Sequence, residues 1–441
     1  MTDHEIHLPT RAEILSGTDR PAPRSLKLLS LVLAAVGTLV FVVGLFVQPG
    51  RAWQSLLINW LCFTSISSAG VMFVAVQRIT TARWSRPIVR FLEGYVAFLP
   101  VAFVLLVLIL IVGRNHIFWW THEVPHVHEK QVYLNPSFLL PRAILTYLII
   151  SVLSVWFVYT SVRLDVGLVP EAGARWARGL RARMRRGFRD ERRELHSTHS
   201  LQGKLAVLLG FAFVFGWIVL SWDLSMSLDQ HFQSTMYGWW FFMGGWVTAL
   251  ASWTLIVLAW RRYLGRYDLI EEKHFHDLGK LCFAFSAFWG YLTFGQYLVI
   301  WYGNLAEETH WMRLRLIEGW RIPTLVTVAL MFVLPFFGLM SRAAKVFFPT
   351  LVLFTLSTIV GLWLHRYLEV YPSIYGVLAD IPLGIWEIGV TLGYLGLWGF
   401  CYLSFMDAFP RMRVTLMTSP HRDEVQVPVD PRTMEPLPAH E

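Results

Sequence analysis

Ten apolar runs alternate with polar segments along the chain. They cover residues 26–47, 53–79, 88–113, 138–162, 203–222, 237–260, 280–302, 322–341, 346–368 and 383–406. Each is close to the ~20 residues that carry a helix across ~30 Å of hydrocarbon. A helix also satisfies its backbone donors and acceptors internally, which lipid cannot do. The pattern predicts an all-α, polytopic membrane protein with ten transmembrane helices. Residues 1–25 and 409–441 are polar and proline-bearing, which predicts a flexible N-terminus and a flexible C-terminal tail around a membrane domain of 26–408. The first apolar run is long enough to remain in the protein, so no removable leader is expected.

Ten spans put both termini on one side, and Lys and Arg indicate which. Of the 38 basic residues, 30 fall in the termini and the even-numbered connections and 8 in the odd-numbered ones. Basic residues accumulate on the cytoplasmic side, so both termini are expected there. The connection between spans 4 and 5 is the most basic. Across 171–195 it holds Arg175, Arg178, Arg181, Arg183, Arg185, Arg186, Arg189, Arg192 and Arg193, with Trp176, Leu180, Met184 and Phe188 recurring every four residues. One apolar stripe on a basic helix predicts a segment lying on an anionic membrane surface. Nucleic acid is not the expected partner.

Composition agrees with the pattern. The chain is 55% hydrophobic and 15% charged, against about a quarter charged in soluble domains. Cys62, Cys282 and Cys401 stand far apart in apolar runs and form no CxxC. The 15 histidines are read in loops, tails or outermost turns, with none in mid-span. A haem inside a bundle usually draws axial His or Met from facing helices. No Walker loop or dinucleotide fingerprint occurs either. No cofactor is therefore expected in this chain, and no metal. The connection 114–137 gathers His116, His122, His126 and His128, but Pro125 interrupts helical spacing. A solvated, partner-docking loop is the expected reading there.

Two segments carry candidate chemistry. Residues 294–309, FGQYLVIWYGNLAEET, place Gln296 and Tyr297 near a helix end. Interfacial Trp301 and Tyr302 follow, then a Gly303-Asn304 break and the acids Glu307 and Glu308. Residues 221–238, SWDLSMSLDQHFQSTMYG, hold Asp223, Asp229 and His231 in a connection without Lys or Arg. Proton exchange or a polar headgroup would use such acids, and so would helix capping and turns. Two further acids stand about one turn inside spans: Glu93 in span 3, with Arg83, Arg86 and Arg90 as candidate partners, and Glu387 in span 10. Asp407 marks the exit of span 10.

Together, the segments 294–309 and 221–238 resemble those of the ActF-type membrane subunit of alternative complex III. That complex is a bacterial quinol:cytochrome c (or other electron acceptor) oxidoreductase, and its membrane subunits belong to the wider NrfD/PsrC-like family. The ten-span layout is similar up to about residue 408. The resemblance implies two four-helix bundles, spans 2–5 and 6–9, flanked by spans 1 and 10, in the bacterial inner membrane. It implies an ActC-like paralogous partner in the membrane and periplasmic subunits carrying haem c and iron–sulfur clusters. This chain would be a cofactor-free, structural and proton-translocating subunit rather than the catalytic one. Its candidate proton route uses Glu93 and Asp407 on the inner side, Asp223 and Glu387 on the outer, with Gln296 and Tyr297 between. Asp229, His231, Glu307 and Glu308 would face a partner or a quinone at the outer surface. The alternative is a quinol-binding membrane anchor, with a quinone beside spans 5 to 7. A secondary transporter, which wants broken helices and midplane polar groups, ranks third.

Overall fold

The computed structural model describes residues 10–123 and 128–425. Among them the chain is helical and without strands, and ten helices are long and apolar enough to cross a membrane. They are α1 (Arg24–Val47), α2 (Pro49–Ile79), α3 (Val89–His116), α4 (Pro136–Leu168), α5 (Glu191–Leu228), α6 (Tyr237–Leu264), α7 (Glu272–Gly303), α8 (Glu318–Gly338), α9 (Phe348–Tyr375) and α10 (Ile385–Ala408). Several run past the apolar stretches that predict them, because their last turns are polar but buried against neighbours. Helix α9 is the consequential case.

Helix α2 is the axis of the molecule. It packs against α1, α3, α4, α5, α6, α9 and α10 and is buried along nearly its whole length. Its small polar residues serve that packing. Ser65 lies so close to α6 that a Cβ on Gly245 would stand 2.8 Å from the serine Cβ. Asn59 Oδ1 accepts from Trp363 Nε1 at 3.2 Å, and Ser67 Oγ from Trp398 Nε1 at 2.9 Å.

Helix α1 turns an apolar face outward, with Leu28, Leu39 and Phe46 exposed. It is held chiefly by α10, where the two backbones touch. A Cβ on Gly37 would fall 2.1 Å from Gly393 Cα, and one on Gly396 would fall 2.4 Å from Ala34 N. Glycine permits that approach, and dispersion between close backbones holds helices that hydrophobic burial cannot drive together in lipid.

The described parts of the termini fold back on the membrane domain at one shared end. Ile14 and Ala22 are buried, Asp407 pairs with Lys27 and with Arg411 (3.2 Å), and Arg411 donates to Thr18 O at 2.6 Å. Residues 10–25 and 409–425 are thus docked, where sequence polarity alone suggested a flexible lead and tail. The basic connection also differs from a single surface helix. It forms a short helix, Arg178–Met184, and breaks at Gly187, whose φ is +72°. Arg181 is buried and donates to Pro170 O, Ala174 O and Ala408 O, and Phe188 packs on Gly167. Trp176 and Leu180 remain exposed. In the histidine-rich connection, His126 lies outside the described residues.

Candidate functional site

At the end away from the termini, two cavities adjoin, and Gln296 lines both. The inner one, about 330 Å³, lies among α6, α7, α8, α9 and the helix Ala306–Arg315. That volume falls within the ~300–1,000 Å³ typical of small-molecule sites. Trp240, Trp289 and Phe332 give it ring-shaped apolar walls. Besides Tyr297 and three threonines, its polar lining is Gln296, Arg315, His365 and Glu369.

Three of these come from residues expected at or beyond a span end. The apolar run was expected to stop at 368, which would leave His365 and Glu369 in the outermost turn. Instead α9 continues to Tyr375, because residues 370–375 are themselves largely apolar and pack inside the protein. His365 is therefore a buried mid-helix histidine, 3% exposed, correcting the expectation that no histidine lies within a span. Its ring stands edge-on to Trp240 at 4.2 Å and Trp289 at 5.4 Å. Neither ring nitrogen has a hydrogen-bond partner, although Nε2 is 3.5 Å from Glu369 Oε1. One helical turn later, Glu369 is 1% exposed and receives Arg366 Nη1 on both oxygens, at 2.7 and 2.9 Å. Arg366 also lies over the Phe241 ring at 3.4 Å.

Arg315 supplies a second buried cation. It donates to Leu368 O (2.9 Å), Trp311 O (2.9 Å), Glu369 O (3.2 Å) and Ser373 Oγ (2.9 Å), and none of these acceptors is charged. Burial lowers its guanidinium to about 10, which leaves it charged at neutral pH. With two arginines, one carboxylate and a histidine, the region is a cationic, dry, aromatic-walled chamber. Gln296 is 3% exposed, and both of its amide atoms lack partners. A buried amide normally finds partners, so Gln296 and His365 offer unspent donors and acceptors to whatever enters. A flat polar ring with oxygen at its edge suits this lining. Among the described residues no three His, Cys, Asp or Glu side chains converge.

The outer cavity, about 800 Å³, is more polar and is lined by Lys130, Tyr133, Ser227, Asp229 and Glu308. Asp229 Oδ1 accepts from His231 N and Phe232 N, both at 3.0 Å, a turn-forming role. Its carboxylate still borders the cavity. Burial depresses the Lys130 ammonium, partly offset by Asp229 and Glu307. His231 and Glu307 are exposed outside the lining. Glu307 and Glu308 begin the helix Ala306–Arg315, where acids oppose the positive helix end. Asn304, at φ +49°, ends α7 in the left-handed conformation. Tyr297 is 38% exposed and lines the inner cavity.

The remaining sequence candidates lie apart from this chamber and from one another, each with its own cation. Asp223 is fully buried and takes Arg142 on both oxygens, at 3.1 and 2.5 Å. Glu387 takes Arg51 (2.9 and 2.6 Å), the Tyr371 hydroxyl (2.6 Å) and Gly384 N (2.8 Å). Glu93 is paired with Arg90 and with Arg413 (3.0 Å), and Ser161 Oγ donates to it at 2.8 Å. Asp407 holds the termini. The structure brings Gln296, Tyr297, Asp229 and Glu308 into one place and leaves these four acids as separate ion-paired anchors. Sequence reasoning missed His365, Glu369, Arg315 and Trp240. The signal was there: His365, Arg366 and Glu369 share one helical face inside an apolar run that continues beyond them.

Neither a protein-family model nor a curated protein matches the chain.

Proposed function

We propose that this chain is a membrane subunit of a quinol-oxidising respiratory complex and that it receives a quinol headgroup in the inner cavity. The observation that carries the proposal is the unpartnered pair His365 and Gln296 facing an aromatic-walled chamber with Glu369 beside it. This favours the quinol-binding alternative over a purely structural role. A quinol offers two hydroxyls and a ring, and its oxidation releases two protons and two electrons. Gln296 and His365 would hydrogen-bond the ring oxygens. His365 would accept a hydrogen bond from one ring hydroxyl and hold it for proton loss into the adjoining cavity. Asp229 and Glu308 in the adjoining cavity would hand protons to water. The cationic surroundings favour partial negative charge on the ring oxygen as its proton leaves. Electrons would pass to haem c and iron–sulfur subunits, with an ActC-like paralogue alongside. The packing of α2 with α3 and α5, and of α6 with α7 and α9, supports grouping spans 2–5 and 6–9 as two four-helix bundles flanked by α1 and α10. The basic bias supports termini in the cytoplasm, which would set the cavities at the outer face of a bacterial inner membrane.

The test is to purify the chain from its native membrane with whatever accompanies it. Haem and iron–sulfur proteins should co-purify, and a photoreactive quinone should label residues of α7 or α9. Labelling lost on Gln296→Leu supports the site. A preparation free of redox proteins, or labelling confined to other spans, overturns the proposal.

A further inference from the structure

A second built site lies at the opposite end, independent of the quinol reading. Where α2 ends, α3 begins, α5 takes its first turns and the segment 411–418 crosses beneath them, the structure encloses a cavity of about 50 Å³. Arg78, Arg86 and Arg413 line it, and Asp165 is its one acid. That acid is occupied, pairing with Arg90 and accepting from Thr415 N (2.8 Å) and Thr415 Oγ1 (2.6 Å). The cavity is therefore cationic.

Its buried donors are also unspent. Gln77, 7% exposed, accepts the Ser85 hydroxyl on Oε1 and leaves Nε2 without a partner. Gln202, 6% exposed, has Nε2 equally unmatched. Arg78 donates through Nη2 to His199 O at 2.7 Å and keeps Nε free of any acceptor. Three unmatched donors on two helices thus belong to residues that line one small space. Unmatched buried donors cost free energy, and a tetrahedral oxyanion satisfies several at once. Arginine and amide donors suit phosphate oxygens. The small volume suits one such group. The cavity also sits at the end richest in Lys and Arg, where basic clefts between helices meet anionic headgroups.

We propose that this cavity binds a phosphate group, supplied either by the headgroup of an anionic phospholipid or by free phosphate. The bound group would tie α2 to α5 beside the docked C-terminal segment.

The test uses the full chain, delipidated in neutral detergent. One arm titrates phosphatidylglycerol against phosphatidylcholine and counts retained lipid by native mass spectrometry. The other measures binding of inorganic phosphate. The expected result is saturable uptake of about one phosphatidylglycerol per chain. That uptake should weaken about tenfold in Arg78→Gln and in Gln202→Leu, the loss of one hydrogen bond to a charged group. The control Arg193→Gln, exposed on the first turn of α5 and outside the lining, should bind as the parent does. Uptake of phosphate alone, weakened by the same variants, also supports the site and assigns the free ion. Should Arg78→Gln fail to fold, Gln202→Leu, which keeps every charge, decides. Absence of saturable binding in both arms, or binding unchanged in the folded variants, overturns the proposal.

Discussion

Removing Arg142 should damage this protein more than removing the acid it serves. Asp223 is fully buried, and its bidentate partner is 16% exposed at the side chain. The guanidinium is also sandwiched, 3.8 Å from the Tyr133 ring and 4.7 Å from Phe138. Arg142→Ala strands a carboxylate in a dry interior, a defect that costs about 3–5 kcal/mol. Asp223→Ala leaves a cation that can still reach water and keeps its aromatic neighbours, so about 1–3 kcal/mol is expected. The double variant Arg142→Leu, Asp223→Leu should lose less than Arg142→Ala alone, because no unpaired charge remains. The assay is reversible unfolding in mixed micelles, followed by tryptophan fluorescence and assembled into a double-mutant cycle. A coupling below about 0.5 kcal/mol would refute the pairing, since that is the scatter expected of independent sites. The same cycle separates an anchor from a proton relay. In the complex proposed above, Asp223→Asn should leave protons moved per electron unchanged, and a lower count in a stable variant would return Asp223 to a proton route.

Three other outcomes are expected. Gly37→Leu should separate α1 from α10, whose backbones leave no room for a side chain, and cost about 1–3 kcal/mol in the same micelle assay; unchanged stability would refute the contact. His365→Leu in the complex proposed above should lower quinol oxidation about tenfold, the scale of one lost hydrogen bond to the substrate, as steady-state rates would show. Tyr371→Phe should cost only about 1 kcal/mol, because Glu387 keeps Arg51 and Gly384 N, whereas Arg51→Ala should cost several times more.

The spans were legible because hydrocarbon thickness imposes one length on every crossing. The left-handed end of α7 at Asn304 was legible for a similarly local reason. The acids were found but not their partners. Asp223 has no basic neighbour in sequence, yet Arg142 reaches it from α4, 81 residues away. Glu93 was weighed against three arginines, and the structure selects Arg90 and adds Arg413 from the C-terminal segment.

Local physics thus determined what the chain had to do in a bilayer: ten apolar helices, polar ends, glycine where backbones meet. Which polar residues share a chamber was decided only by packing. His365 read as interfacial because hydropathy averages along one helix and cannot register burial by other helices. Once α6, α7 and α8 close around α9, the same side chain is dry, unpartnered and placed beside Gln296, a conjunction that depends on contacts far apart in sequence.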